Sequence, residues 1–156
     1  MEPHQQLVST FWLADRLYGV DVMHVQEISL PMAFTRVPLA PRFVRGLINL
    51  RGQIATLVDL RELFSLPELP NSQPMFVFCQ SKGVLLALQV DQIGDVIETS
   101  AADFEPPPEV IPVGIRKLMG GVYKVKNELL SILKVEAILE ELTHSTQAKV
   151  QNVEHR

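Results

Sequence analysis

The chain has 156 residues, 47% of them hydrophobic and 21% charged, which supplies one ordinary core and leaves no length for a multidomain enzyme. Its net charge of −4, from 14 basic and 18 acidic residues, argues against binding a phosphate backbone as the main task. A single cysteine, Cys79, excludes an intramolecular disulfide and a cysteine-rich zinc site, no apolar run approaches the roughly 20 residues of a membrane span, and the first six residues lack a basic leader region. A reducing, cytoplasmic setting fits these features, with no direct insertion into a membrane.

Taken in chain order, Leu7 to Ala14 alternates in a period-2 strand pattern, Asp15-Arg16 turns, and Leu17 to Val22 returns as a second strand. Met23 to Ile28 reads as a short helical turn that Ser29 and Pro31 break. Val37 to Pro41 is a loop bracketed by prolines, each of which pushes its predecessor toward extended geometry. Gly46 to Leu50 and Ile54 to Val58 are strands flanking Arg51-Gly52, where glycine permits the positive φ of a tight hairpin. Asp59-x-x-Glu62 opens a short helix in the manner of a capping box, and a polar, proline-rich loop then runs to Pro74. Met75 to Gln80 and Val84 to Val90 make the clearest hairpin, and Asp91 to Glu98 continues as strand with a kink at Gly94. Ala101 to Pro112 is loop, and Gly120 to Val125 and Leu129 to Leu133 are a last strand pair. Val135, Ile138, Leu139 and Leu142 form the apolar stripe of a C-terminal amphipathic helix, after which residues 143–156 read as a flexible tail.

Shifting Gly46–Phe64 by 75 positions lays it on Gly121–Leu139 with the apolar positions in coincidence and Gly52 on Asn127, two residue types that tolerate left-handed backbone. This correspondence predicts a mainly β chain of two similar subdomains, each ending in a helix and sharing one core. Charge divides unevenly over that plan. From Ile28 to Val58 there is no acidic residue but four arginines, Arg36, Arg42, Arg45 and Arg51, so the remaining chain carries −8. A guanidinium is a rigid planar fork suited to fixed contacts with carboxylates, and the window is a candidate surface for a protein partner.

Residues with chemistry to offer are few. Of the four histidines only His24 lies away from the termini, where a structural imidazole is the expectation, and Cys79 sits among Phe76, Val77 and Phe78, where it reads as a small inert hydrophobe. No phosphate-binding glycine loop, zinc-protease motif or calcium loop is present, and Asp91 with Asp95 lacks further oxygen donors for a metal, so neither catalysis nor a cofactor nor a metal is expected. Single-stranded nucleic acid binding would need aromatic stacking platforms, and only 6% of residues are aromatic.

The stretch from Val37 to Arg61, with its proline-bracketed loop, the run Gly46-Leu47-Ile48-Asn49-Leu50-Arg51-Gly52 and the closing Asp59-Leu60-Arg61, resembles the signature of CheW-like chemotaxis adaptors. Tyr18-Gly19-Val20-Asp21 with Val25-Gln26-Glu27-Ile28, and Val90-Asp91 with Val96, are similar to two further family blocks. The resemblance implies two intertwined SH3-like five-stranded β-barrels around a shared core, forming one CheW-like domain over residues 1–142. It also implies a non-catalytic adaptor that joins the cytoplasmic tip of chemoreceptors to the CheW-like regulatory domain of a chemotaxis histidine kinase, recruited to membrane-associated receptor arrays. Val25, Glu27, Gly46 and Arg51 match family positions implicated in receptor coupling. Phe43, Asn49, Leu50 and Gly52 complete the candidate binding set, with Phe43 and Leu50 expected to be exposed and apolar beside an arginine anchor. Glu27 is placed to hold the Arg51 guanidinium. The short N-terminus fits a free-standing adaptor, and Thr56 replaces a common family proline, with a local change at a strand edge expected from the freed N–H.

Overall fold

The structure, a computed structural model, describes residues 5–70 and 72–154, with side chains as far as Ser145. Eleven strands form two mixed sheets among these residues: β1 (Leu7–Leu13), β2 (Arg16–Asp21), β3 (Val25–Ser29), β4 (Val44–Leu50), β5 (Gln53–Asp59), β6 (Met75–Ser81), β7 (Val84–Val90), β8 (Gln92–Glu98), β9 (Phe104–Glu105), β10 (Met119–Val125) and β11 (Glu128–Leu133). Helices are few: α1 (Leu60–Leu63), α2 (Val113–Arg116) and α3 (Val135–Glu154). One sheet has the order β8-β1-β2-β11-β10-β9 and the other β3-β6-β7-β5-β4.

The strands alternate apolar and polar residues where one face is buried, and the tight turns carry positive φ where the hairpin twist demands it. Arg51 and Gly52 both do so, at 50° and 89°. In the matching turn of β10 and β11 the left-handed residue is Lys126, at 55°, rather than Asn127. The helical turn read at Met23 to Ile28 is shorter than expected: only Val22–His24 is 3-10 helix, capped by Asp21, whose Oδ1 accepts from the Met23 N–H at 2.9 Å, and β3 begins at Val25. Strand β9 and helix α2 lie in or beside the segment read as loop. Backbone helicity in α3 continues past Leu142 to Glu154, where the sequence placed a flexible tail, and residues 155–156 lie outside the described set.

The two-part plan holds with a twist in its connectivity. Hairpin β4–β5 leading into α1 has its counterpart in β10–β11 leading into α3, and both hairpins carry a register shift at the same place, beside Gly46 and Gly121. Each half lends its first hairpin to the other. β1 and β2 pair with β8 and β11 of the later half, while β6 and β7 pair with β3 and β5 of the earlier one, through the parallel contacts β2 with β11 and β5 with β7. This exchange is the physical content of two intertwined subdomains. Between the sheets lies a shared core of Phe11, Val20, Val58, Val77, Leu86, Leu88, Val122, Leu133 and Ile138, joined by α3. Each sheet also has a smaller cluster of its own: Ile48, Leu50, Leu57, Phe76 and Phe78 in one, Val8, Tyr123, Leu130 and Ile132 in the other. Each fully buried Leu, Val or Phe contributes roughly 1.5–3 kcal/mol of transfer free energy, so the shared layer is the larger stabilising unit.

Candidate interaction site

Strands β3 and β4 are opposite edges of the five-stranded sheet, yet side chains of β3 reach the tip of the β4–β5 hairpin, so the sheet curls toward a barrel. Arg51, at the tip of the β4–β5 hairpin, donates from Nη2 to Glu27 Oε1 on β3. Gln26 Nε2 donates to Gln53 Oε1 at 3.2 Å beside it. Neighbours on a regular strand point to opposite faces, and a bulge explains how both reach one turn: Val25 pairs with Cys79 and Glu27 with Phe78, leaving Gln26 as the extra residue. Asn49 Oδ1 accepts the Gly52 N–H at 2.8 Å and closes the turn from within.

The Arg51 side chain remains 71% exposed and that of Glu27 only 23%, so the carboxylate fixes the guanidinium while leaving its outer edge in solvent. On the face of the hairpin that carries Asn49 stand Ile54, 57% exposed and paired with Asn49, and Leu47, 37% exposed and farther down β4. Sequence reasoning did not single out these two apolar residues. The signal was available in the alternation: Ile48 and Leu50 occupy one face of β4, Leu47 and Asn49 the other.

Of the candidate residues, Glu27, Asn49, Arg51 and Gly52 come together at the tip. Leu50 does not belong to the surface. It is 3% exposed and packs in the cluster with Ile48 and Phe76, because its register points it inward. Phe43 is half-buried and packs against the shared core at the far end of the hairpin. Gly46 is buried, and a Cβ there would lie 2.8 Å from the Phe34 ring and closer still to the Thr35 carbonyl oxygen. Val25 is half-buried against the shared core.

The arginine window is split by the same geometry. Arg42 pairs with Glu62 at 3.1 Å, and Arg45 donates to Gln89 Oε1 at 2.8 Å with its guanidinium 4.9 Å above the Phe34 ring. Both sit at the base of a strand whose length, at about 3.3 Å per residue, puts them roughly 20 Å from the Arg51 tip. Thr56 lies on β5, an internal strand paired with both β4 and β7, so its position is not the sheet edge expected from the sequence. His24 is half-buried with Nδ1 3.1 Å from the Gln80 carbonyl oxygen. Burial in an apolar strand pushes the Cys79 thiol up to about 12, which keeps it protonated and unreactive. Among the described residues no helix is long and apolar enough to cross a membrane.

The site is thus a curled β module that displays a braced, exposed arginine at a hairpin tip. The family model of the CheW-like domain matches residues 8–143, and the chain belongs to the CheW-like family of chemotaxis coupling adaptors. It is 33% identical to the chemotaxis protein CheW of Treponema pallidum over 138 residues, covering 85% of this chain and 81% of that one. Against the chemotaxis protein CheW of Helicobacter pylori the identity is 30% over 131 residues, covering 83% and 79%. The crystal structure of the scaffolding protein TtCheW from Thermoanaerobacter tengcongensis superposes with a TM-score of 0.76 at 29% identity, covering 84% of this chain and 90% of that one.

Proposed function

We propose that this adaptor grips its chemotaxis partners, the cytoplasmic tip of a chemoreceptor and the CheW-like regulatory domain of a histidine kinase, through the β4–β5 tip, and performs no chemistry itself. Arg51 is the anchor, Leu47 and Ile54 supply apolar area that loses water on contact, and Glu27 sets the guanidinium pose before the partner arrives. The observation that carries this reading is the bracing of an exposed arginine by a half-buried carboxylate from another strand. Such an arrangement lowers the side-chain ordering that binding requires. The module acts in the cytoplasm, where receptor tips recruit it to membrane-associated arrays.

The test is a titration of the purified chain and its Arg51→Ala variant against a receptor signalling fragment and the kinase regulatory domain from the same genome. Loss of a central arginine anchor weakens binding about tenfold or more and lowers receptor-dependent kinase control by a similar factor. An exposed ion pair contributes ~0–1 kcal/mol to folding, so the melting temperature moves by no more than about 4 °C. Unchanged affinity together with a large fall in melting temperature would make the pair a strand tie and overturn the proposal.

A further inference from the structure

Arg51 holds a backbone conformation that L-residues with side chains avoid, with φ at 50°. The hairpin twist asks for this, and the β6–β7 turn Lys82-Gly83 adopts the same pair of positive values, 52° and 77°. Among the described residues no side chain bonds to that second turn. A two-residue turn of this kind therefore closes without help. The Arg51 turn nevertheless receives three side-chain contacts: Asn49 to the Gly52 N–H, Gln26 to Gln53, and Glu27 to the guanidinium itself. One of these bonds holds the Arg51 guanidinium, and the other two hold Gly52 and Gln53, the residues that follow it, so the surplus bonds fix both the side chain and the backbone from which it projects.

We propose that Asn49 and Gln26 are positioning residues for Arg51: Asn49 locks the backbone from which the arginine projects, and Gln26 locks the hairpin tip against the bulged edge strand. This rests on Arg51 being the partner contact. It differs from the direct partner contact expected of Asn49 as a member of the candidate binding set. A residue that acts through Arg51 loses its effect once Arg51 is gone, whereas one that touches the partner keeps it.

A double-mutant cycle separates the two, using the receptor signalling fragment and the kinase regulatory domain as probes. Asn49→Ala weakens binding about three- to tenfold, the range expected for one lost hydrogen bond, and Gln26→Ala weakens it about twofold. Asn49→Asp, which keeps an acceptor oxygen for the Gly52 N–H, binds within about twofold of the unaltered chain. Combined with Arg51→Ala, neither alanine change weakens binding further. In the free protein Asn49→Ala speeds hydrogen exchange at the Gly52 amide, a readout independent of any partner. Additive losses in the Arg51→Ala background, or full affinity in Asn49→Ala, overturn the positioning role. Full affinity of Arg51→Ala alone overturns instead the reading of the site beneath it.

Discussion

Gly46 and Gly52 stand six residues apart in one hairpin and answer to different physics. At Gly46 a methyl group meets the Phe34 ring and the Thr35 backbone, which two hydrogen bonds to Leu47 hold in place. At Gly52 it meets nothing within 4 Å, and only the φ of 89° resists it. Gly46→Ala is therefore expected to cost more than about 2 kcal/mol, in the range of core overpacking, and Gly52→Ala ~1–2 kcal/mol of backbone strain. Urea midpoints of the two variants check the order, and reversal of that order would refute it. A loss of partner binding in Gly46 variants then reports a displaced strand and not a missing contact. Motif resemblance singles out both glycines without separating these roles, because the neighbours that decide them, Thr35 and Phe34, come from a segment that only the fold brings close. Leu50 shows the same limit from the other side. Its neighbours in the motif are surface residues, and the inward register of β4 alone removes it from the site.

At the level of elements, α1 is only four residues long and survives through its attachments. Asp59 caps it by accepting from the Arg61 and Glu62 N–H groups, and Arg61 reaches back to Asp91 through two hydrogen bonds of 2.8 and 2.6 Å. Asp91 also accepts from the Ala14 N–H at 2.7 Å, so one carboxylate ties α1, the start of β8 and the β1–β2 turn together. Burial pushes its pKa up, but the Arg61 and Ala14 hydrogen bonds and the Arg61 charge outweigh burial and hold it below the usual carboxylate value. The pair's stabilisation is thus fully present above the ordinary aspartate value of about 4 and is lost as pH falls through the lower folded one. Asp59 works the opposite way, since burial raises its pKa and its protonation in acid relieves a cost. Both Arg61 and Asp91 side chains are 13% exposed, so Asp91→Asn, which leaves a buried guanidinium without its counterion, is expected to cost about 3–5 kcal/mol at pH 7. It should also flatten the acid limb of the stability profile below about pH 4. Urea unfolding over that range measures both, and an unaltered acid limb would show that Asp91 does not set it. The hairpins on either side of this joint were readable from alternation and turn residues. Strand β3 was not, because Val25 and Ile28 at i, i+3 mimic a helical turn and the bulge at Gln26 breaks the period of two that would have marked a strand.

Across the whole molecule, the sequence repeat exposed half of the symmetry. Hairpins β4–β5 and β10–β11 share spacing and the glycine pair Gly46 and Gly121, and the shift of 75 aligns them; the exchange of β1–β2 for β6–β7 leaves no such trace, because strand pairing across the chain depends on which faces are buried together. That exchange has a thermodynamic consequence. The five-stranded sheet is contiguous from Val25 to Val90, so it looks excisable, but Val58, Val77, Cys79, Leu86, Leu88 and Val90 face the shared core rather than its own cluster. Cutting the sheet out would expose that layer to water, and neither sheet keeps enough private core to fold by itself. The chain should therefore unfold in one step. Two probes that lie in different sheets are already in place: Trp12, packed against the private cluster of the six-stranded sheet, and Cys79, buried in the five-stranded one. Trp12 fluorescence and the reactivity of Cys79 toward a thiol reagent, followed through a urea titration, should give the same midpoint, with no labelling of Cys79 before the transition. Separate midpoints would mean that the sheets are independent units and that the intertwined hairpins connect them without coupling their stability.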